Sequence, residues 1–161
     1  MDLKLTQTFN KQINHQFYSA YLYFAMSTYF SEIAMEGFSK YMRHVASKKL
    51  CFAQKIYDYL ILRDEKLIFQ KIEEPDVDWI NVSEIFSSAQ EHEEFVLNSL
   101  LELYKIALDA SDIGASKFIC EFAQEQEKTV SKLRKFNYKI KSSSQNVIDL
   151  LDFDLKKNTL C

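Results

Sequence analysis

Apolar residues recur at intervals of three and four through four long stretches of the chain, 3–31, 38–64, 82–109 and 113–141, and through a shorter one at 145–157. That period gathers apolar side chains on one face of a helix, so the pattern predicts four long amphipathic helices, α1 to α4, and a short fifth, α5. The breaks carry helix-ending chemistry. Gly37 precedes α2, Pro75 lies between α2 and α3, Asn81 or Ser83 offers an N-cap for α3, Gly114 sits near the start of α4, and Ser142, Ser143 and Ser144 separate α4 from α5. The α1–α2 and α3–α4 connections are short, which folds each pair into an antiparallel hairpin. The 17 residues from 65 to 81 are different. Extended, they reach about 55 Å, while a helix the length of α2 spans about 40 Å, so this link can run the length of a bundle and leave α2 and α3 parallel. The expectation is an all-α chain forming one domain over 1–161: a four-helix bundle at 3–141 with one long crossover, and a short helix at 145–157.

Composition narrows the picture. The 161 residues are 47% hydrophobic and 27% charged, which excludes disorder and fibrous repeats, and neither internal repeats nor low-complexity segments occur. Only 2 Gly and 1 Pro are present, too few for the tight turns of sandwiches, barrels or doubly wound sheets. A formal net charge of -3 supplies no basic field for a phosphate backbone, so nucleic acid is not an expected partner. The opening MDLKLTQTFN lacks the apolar core of a secretion signal, and no run approaches the roughly 18 apolar residues of a bilayer span; the expected location is the cytoplasm. Cys51, Cys120 and Cys161 are odd in number, widely spaced and without a CxxC, which suits reduced packing thiols.

Each long helix has its apolar stripe interrupted near mid-length. On α1 the stripe runs Phe9, Ile13, Gln16, Ala20, Tyr23, and on α2 it runs Met42, Val45, Lys49, Phe52, Ile56, Tyr59. On α3 it runs Phe86, Ala89, Glu93, Val96, Leu100, Tyr104, and on α4 Phe118, Phe122, Gln126, Thr129, Leu133, Phe136. Polar groups from four helices at one level surround either a metal or a hydrogen-bond network of their own. A dinuclear iron site wants a carboxylate from each of two helices and Glu-x-x-His from the others. This layer offers one carboxylate and one ammonium, so a buried Lys49–Glu93 ion pair is expected, with Gln16 or Gln126 satisfying the remaining polar atoms.

Three stretches resemble helices of the bacterial non-haem ferritins: NKQINHQFYSAYLYFAMS at 10–27, SSAQEHEEFVLNSL at 87–100 and FAQEQEK at 122–128. The likeness covers most of 1–141 and includes the crossover. It implies a ferritin-like bundle, a hollow shell of twenty-four subunits, Fe(II) oxidation at an intrabundle di-iron centre, and ferric mineral stored within. Carried over position by position, the family's ligand set is depleted here. Gln16 stands where the family has Glu on α1, Lys49 and Phe52 replace the Glu-x-x-His pair of α2, and Thr129 replaces the later glutamate of α4. Glu93 and Gln126 are retained, and Tyr23 matches the tyrosine beside the centre. At the accessory third iron position Glu125 remains, while its neighbours appear as Lys48 and Lys128. No catalytic set is intact, and Glu93, Gln126 and Glu125 are the residual metal candidates. A lysine in place of a ferroxidase carboxylate resembles the light-chain subunits of animal ferritins, which store iron without oxidising it at such a centre. Bacterioferritins hold haem through a methionine of the second helix; the matching position here is Leu50, so haem is not implied.

Other features read as structural. His15, His44 and His92 lie on separate helices or faces, and no pair has i, i+4 spacing. Around Glu93, the neighbours Glu91, His92 and Glu94 fall off the apolar stripe and suit a solvated face. The aromatic residues Phe17, Tyr18, Tyr21, Tyr23, Phe24, Tyr29 and Phe30 cover more of α1 than one bundle can hide, and Ile68, Phe69 and Trp79 add to the excess, which suits subunit contacts. Asp149, Asp152 and Asp154 give α5 a solvent-facing side. The leading expectation is a cytoplasmic, shell-forming iron-storage subunit whose own ferroxidase centre is lost or impaired, with iron as mineral cargo and co-assembly with an active subunit where the cell makes one. The alternatives are an active ferroxidase using the reduced ligand set, and a structural or partner-binding four-helix protein.

Overall fold

The computed structural model describes residues 1–158. Five helices follow in order: α1 (Leu3–Glu32), α2 (Glu36–Leu62), α3 (Val82–Asp109), α4 (Ile113–Ser142) and α5 (Gln145–Asn158). Cys161 lies outside the described residues, and Cys51 and Cys120 are free thiols. Helix α2 starts earlier than the apolar pattern suggested, so Gly37 belongs to its first turn. Its lack of a side chain serves packing there: a Cβ would lie 1.8 Å from the carbonyl oxygen of Asp152, on α5. Of the two candidate caps for α3 it is Asn81 that acts, its side chain accepting from the Glu84 amide at 3.0 Å.

Three helix exits require left-handed backbone, and none uses glycine. Ala34 (φ 59°), Asp64 (φ 54°) and Ser111 (φ 53°) turn the chain after α1, α2 and α3. For Ala34, which cannot bond its own backbone through a side chain, this conformation costs about 1 kcal/mol.

The link from α2 to α3 runs back along α1. Thr6 donates its hydroxyl to Glu65 at 2.7 Å, and Asn10 bonds both the Lys66 carbonyl (3.0 Å) and the Ile68 amide (2.7 Å). Phe69 then meets Phe17, and Trp79 meets Tyr29 near the far end of α1. Helices α2 and α3 are therefore parallel, with α1 and α3 in contact. Trp79 is half-buried against the core and is not part of the apolar excess, whereas Ile68 and Phe69 stay exposed.

The core falls into two apolar clusters. One, around Phe30, Phe38 and Phe86, fills the end where α5 docks; the other, around Phe9, Ile56, Leu103 and Ile119, fills the opposite end. Between them lies the polar layer. Helix α5 packs on α2, held by Asp152 accepting from the Phe38 amide (2.7 Å) and by Lys156–Glu36 (2.5 Å). Asp152 is thus a cap for the first turn of α2, a correction to its solvent-facing assignment, because α5 folds back onto that helix start.

Candidate functional site

Four helices each contribute one buried polar side chain to the middle of the bundle: Gln16 (1% exposed), Lys49 (2%), Glu93 (0%) and Gln126 (2%). Each interrupts a mainly apolar stripe, so helical periodicity alone carries it inward. The Lys49 ammonium lies 2.5 Å from Glu93 Oε2. Gln126 donates to the same oxygen and to the Glu93 backbone carbonyl at 2.9 Å, while its own Oε1 accepts from Lys49 at 3.2 Å. The buried Tyr23 hydroxyl donates to Glu93 Oε1 at 2.7 Å. Gln16 takes no share in this: its Oε1 is buried with no hydrogen-bond partner among the described residues.

Burial by itself would raise the Glu93 carboxyl. The Lys49 charge and the bonds from Lys49, Gln126 and Tyr23 outweigh it and hold Glu93 below the usual carboxylate range. The reverse holds for the phenols. Burial and the facing carboxylate push Tyr23 well above its ordinary value, and the same causes raise Tyr41 to about 12. The layer is one carboxylate neutralised by one ammonium, with both carboxylate oxygens engaged by donors.

A dinuclear iron centre needs several anionic or imidazole donors with free lone pairs. Among the described residues no group of three or more His, Cys, Asp or Glu converges on a point where a metal could sit. The donor set as folded does not fit a resident di-iron cofactor. Phe52 packs on Phe122, and the Thr129 hydroxyl turns back to the Glu125 carbonyl at 3.1 Å. Of the residual metal candidates, Glu93 and Gln126 are brought together, while Glu125 is exposed and pairs with Lys128 at 2.6 Å. Lys48 is exposed, as is Leu50.

A second polar cluster, absent from the sequence reading, lies along the α1–α3 seam. His92 Nε2 is 2.7 Å from Ser19 Oγ, which donates to the His15 carbonyl. His15 Nδ1 is 3.2 Å from Ser99 Oγ, which also receives Gln12 Nε2. Both rings pack on Phe95. Burial lowers both histidines, His92 to about 4. No signal in the chain could have paired them, since their proximity depends on how α1 crosses α3. His44 stays apart on the surface of α2.

Residues 6–143 match the family model described as a ferritin-like domain. The chain is 33% identical to soma ferritin of Lymnaea stagnalis over 77% of this chain and 74% of that one. It is 29% identical to a bacterial non-heme ferritin of Staphylococcus aureus over 76% and 74% of the two chains. Among solved structures, an open pore ferritin from Archaeoglobus fulgidus superposes with a TM-score of 0.94 at 28% identity, covering 100% of this chain and 98% of that one.

Proposed function

The chain belongs to the ferritin family, and from that premise we propose that it is an iron-storage subunit, built into a hollow shell, whose own ferroxidase centre is lost. The observation that carries the proposal is the Lys49 ammonium 2.5 Å from Glu93, a fixed positive charge in the middle of the bundle where a cation would otherwise be held. Fe(II) approaching Glu93 meets a carboxylate already neutralised and repulsion from the ammonium that neutralises it. Iron is cargo in this reading, and its oxidation takes place elsewhere in the shell.

Assembly is supported by apolar surface. Tyr21 and Phe24 on α1, Leu50 on α2 and Phe69 and Ile72 on the crossover are all exposed in the single chain. Such a patch is more than an isolated bundle leaves in water. We propose closure of twenty-four copies and, where a cell makes an active subunit, mixed shells; native mass measurement after co-expression distinguishes mixed from separate shells.

The test is anaerobic Fe(II) loading followed by exposure to oxygen. Slow, non-stoichiometric oxidation is expected, and the quadruple variant Gln16→Glu, Lys49→Glu, Phe52→His, Thr129→Glu should oxidise iron rapidly. Rapid stoichiometric oxidation by the natural chain would instead mean that Lys49 moves aside and the reduced ligand set is active. A chain that forms no shell and takes up no iron would be a structural four-helix protein.

A further inference from the structure

We propose that the cavity between α2, α4 and the end of α5, ringed by Lys48, Lys132 and His44 with the hydroxyls of Tyr41 and Thr129 and with Leu155 and Asn158 of α5 on its wall, is a binding site for a tetrahedral oxyanion of the phosphate class. The cavity has a volume of about 330 Å³ and is closed on one side by Phe52 and Phe136. Neither Lys48 nor Lys132 forms an ion pair among the described residues, and the Lys132 ammonium sits 5.9 Å above the Tyr41 ring at the cavity wall. Two carboxylates come near, and both are committed. Glu125 lines the cavity with Lys128 bound at 2.6 Å, and Glu93 lies behind Lys49, whose charge it neutralises. What faces the space is therefore an excess of two ammonium groups.

The remaining groups suit an anion as well. The Tyr41 hydroxyl makes no hydrogen bond among the described residues, and its raised pKa keeps it a proton donor at any physiological pH. The Thr129 hydroxyl, which donates only to the Glu125 carbonyl, can accept or turn to donate. A dianion with four oxygens can take charge-assisted bonds from two lysines and further bonds from the hydroxyls and His44. A divalent cation entering the same space would meet Lys48, Lys49 and Lys132 with only hydroxyl, amide and imidazole donors, from Thr129, Asn158 and His44, left to hold it, and is disfavoured. Farther along α4, Lys135 shares the surface with Glu127 and with the Lys128 already paired to Glu125.

The proposal is independent of iron storage, and its test uses assembled protein freed of iron so that no mineral contributes. Orthophosphate is titrated calorimetrically at constant chloride. Saturable binding near one site per subunit is expected, with Lys48→Gln/Lys132→Gln weakening it by about tenfold or more. Lys135→Gln/Lys139→Gln, which removes the same two charges outside the cavity, should change it by less than about twofold. Tyr41→Phe, which keeps every charge, should weaken binding measurably. Circular dichroism and sedimentation confirm that each variant is folded and assembled. Glycerol 1-phosphate in a parallel titration distinguishes the source: binding equal to that of orthophosphate assigns an esterified phosphate, and orthophosphate alone assigns the free ion. No saturable heat up to about 20 mM phosphate, or equal weakening by the Lys135/Lys139 and Lys48/Lys132 variants, overturns the site in favour of diffuse counter-ion attraction.

Discussion

Two ion pairs fasten α2 to the α3–α4 hairpin, in opposite surroundings. Lys49–Glu93 is sealed in the bundle, while Arg63–Asp112 sits at its end, with side chains 30% and 15% exposed. Both have good geometry. Arg63 grips both Asp112 oxygens, at 3.3 and 2.7 Å, and Asp112 also caps α4 through the Ala115 amide at 3.0 Å. The outer pair gains from helix ends, Arg63 at the C-terminus of α2 and Asp112 at the N-terminus of α4, and water covers what the partners do not. The inner pair has no such cover, so each member depends on the other. Equal contacts thus differ in what their loss costs.

The largest expected effect is Lys49→Ala, which strands the Glu93 carboxylate and should destabilise the fold by about 3–5 kcal/mol in denaturant unfolding. Lys49→Met with Glu93→Gln removes both charges and should return to within about 1.5 kcal/mol of the natural chain, since the Gln oxygen can still accept from Tyr23 and its amide can donate to the Gln126 Oε1 that Lys49 leaves free. A double variant as unstable as Lys49→Ala would break the comparison, because lost packing and not a stranded charge would then be the cause.

Acid sharpens it next. Both carboxyls are held below their ordinary range, Glu93 against its burial by Lys49 and Asp112 chiefly by the Arg63 bonds, so both pairs keep their contribution above the unfolded carboxyl value and lose it only as pH falls through the lowered one. His92 acts earlier. Folded, it stays neutral down to about 4, whereas the unfolded chain takes up a proton near 6.5. Stability should therefore fall between pH 6.5 and 4 by up to about 3 kcal/mol from His92, with His15, also lowered by burial, adding to it; His92→Asn should flatten most of that slope and His15→Asn/His92→Asn the rest. A slope that survives in the double variant would place the loss in the ion pairs instead.

Asp112→Ala should cost about 1–2 kcal/mol, through the lost cap as much as the lost charge, and partly in a salt-dependent way. Smallest is Lys128→Ala, which breaks the exposed pair with Glu125 and should change stability by less than about 0.5 kcal/mol. A loss there rivaling that of Asp112→Ala would show that exposure is a poor guide to the worth of these pairs.

The same contrast explains what could be read from the chain. Lys49 and Glu93 were legible because each interrupts an apolar stripe whose period fixes its direction, and the parallel order of α2 and α3 followed from the length of the crossover. Arg63 and Asp112 lie beyond the stripes, at helix ends, where periodicity carries no direction. His15 and His92 meet only because of the way α1 crosses α3, and Asp152 finds the Phe38 amide only because α5 folds back over Gly37. Trp79 was assigned to the apolar excess for the same reason, its partner Tyr29 being 50 residues away in the chain.

The polar layer also acts on alignment. The hairpins α1–α2 and α3–α4 each assemble from neighbours in sequence, but two smooth apolar faces could dock in several offsets about 5.4 Å apart. Slipping by one turn would set the Glu93 carboxylate against Val45 or Ala53, both buried and unable to bond it. The wrong offsets thus carry a bare charge and the right one does not. We expect the neutral Lys49→Met/Glu93→Gln bundle to keep its helix content while showing broadened or doubled amide resonances, and a single sharp set would show that side-chain shape alone keeps the hairpins in step.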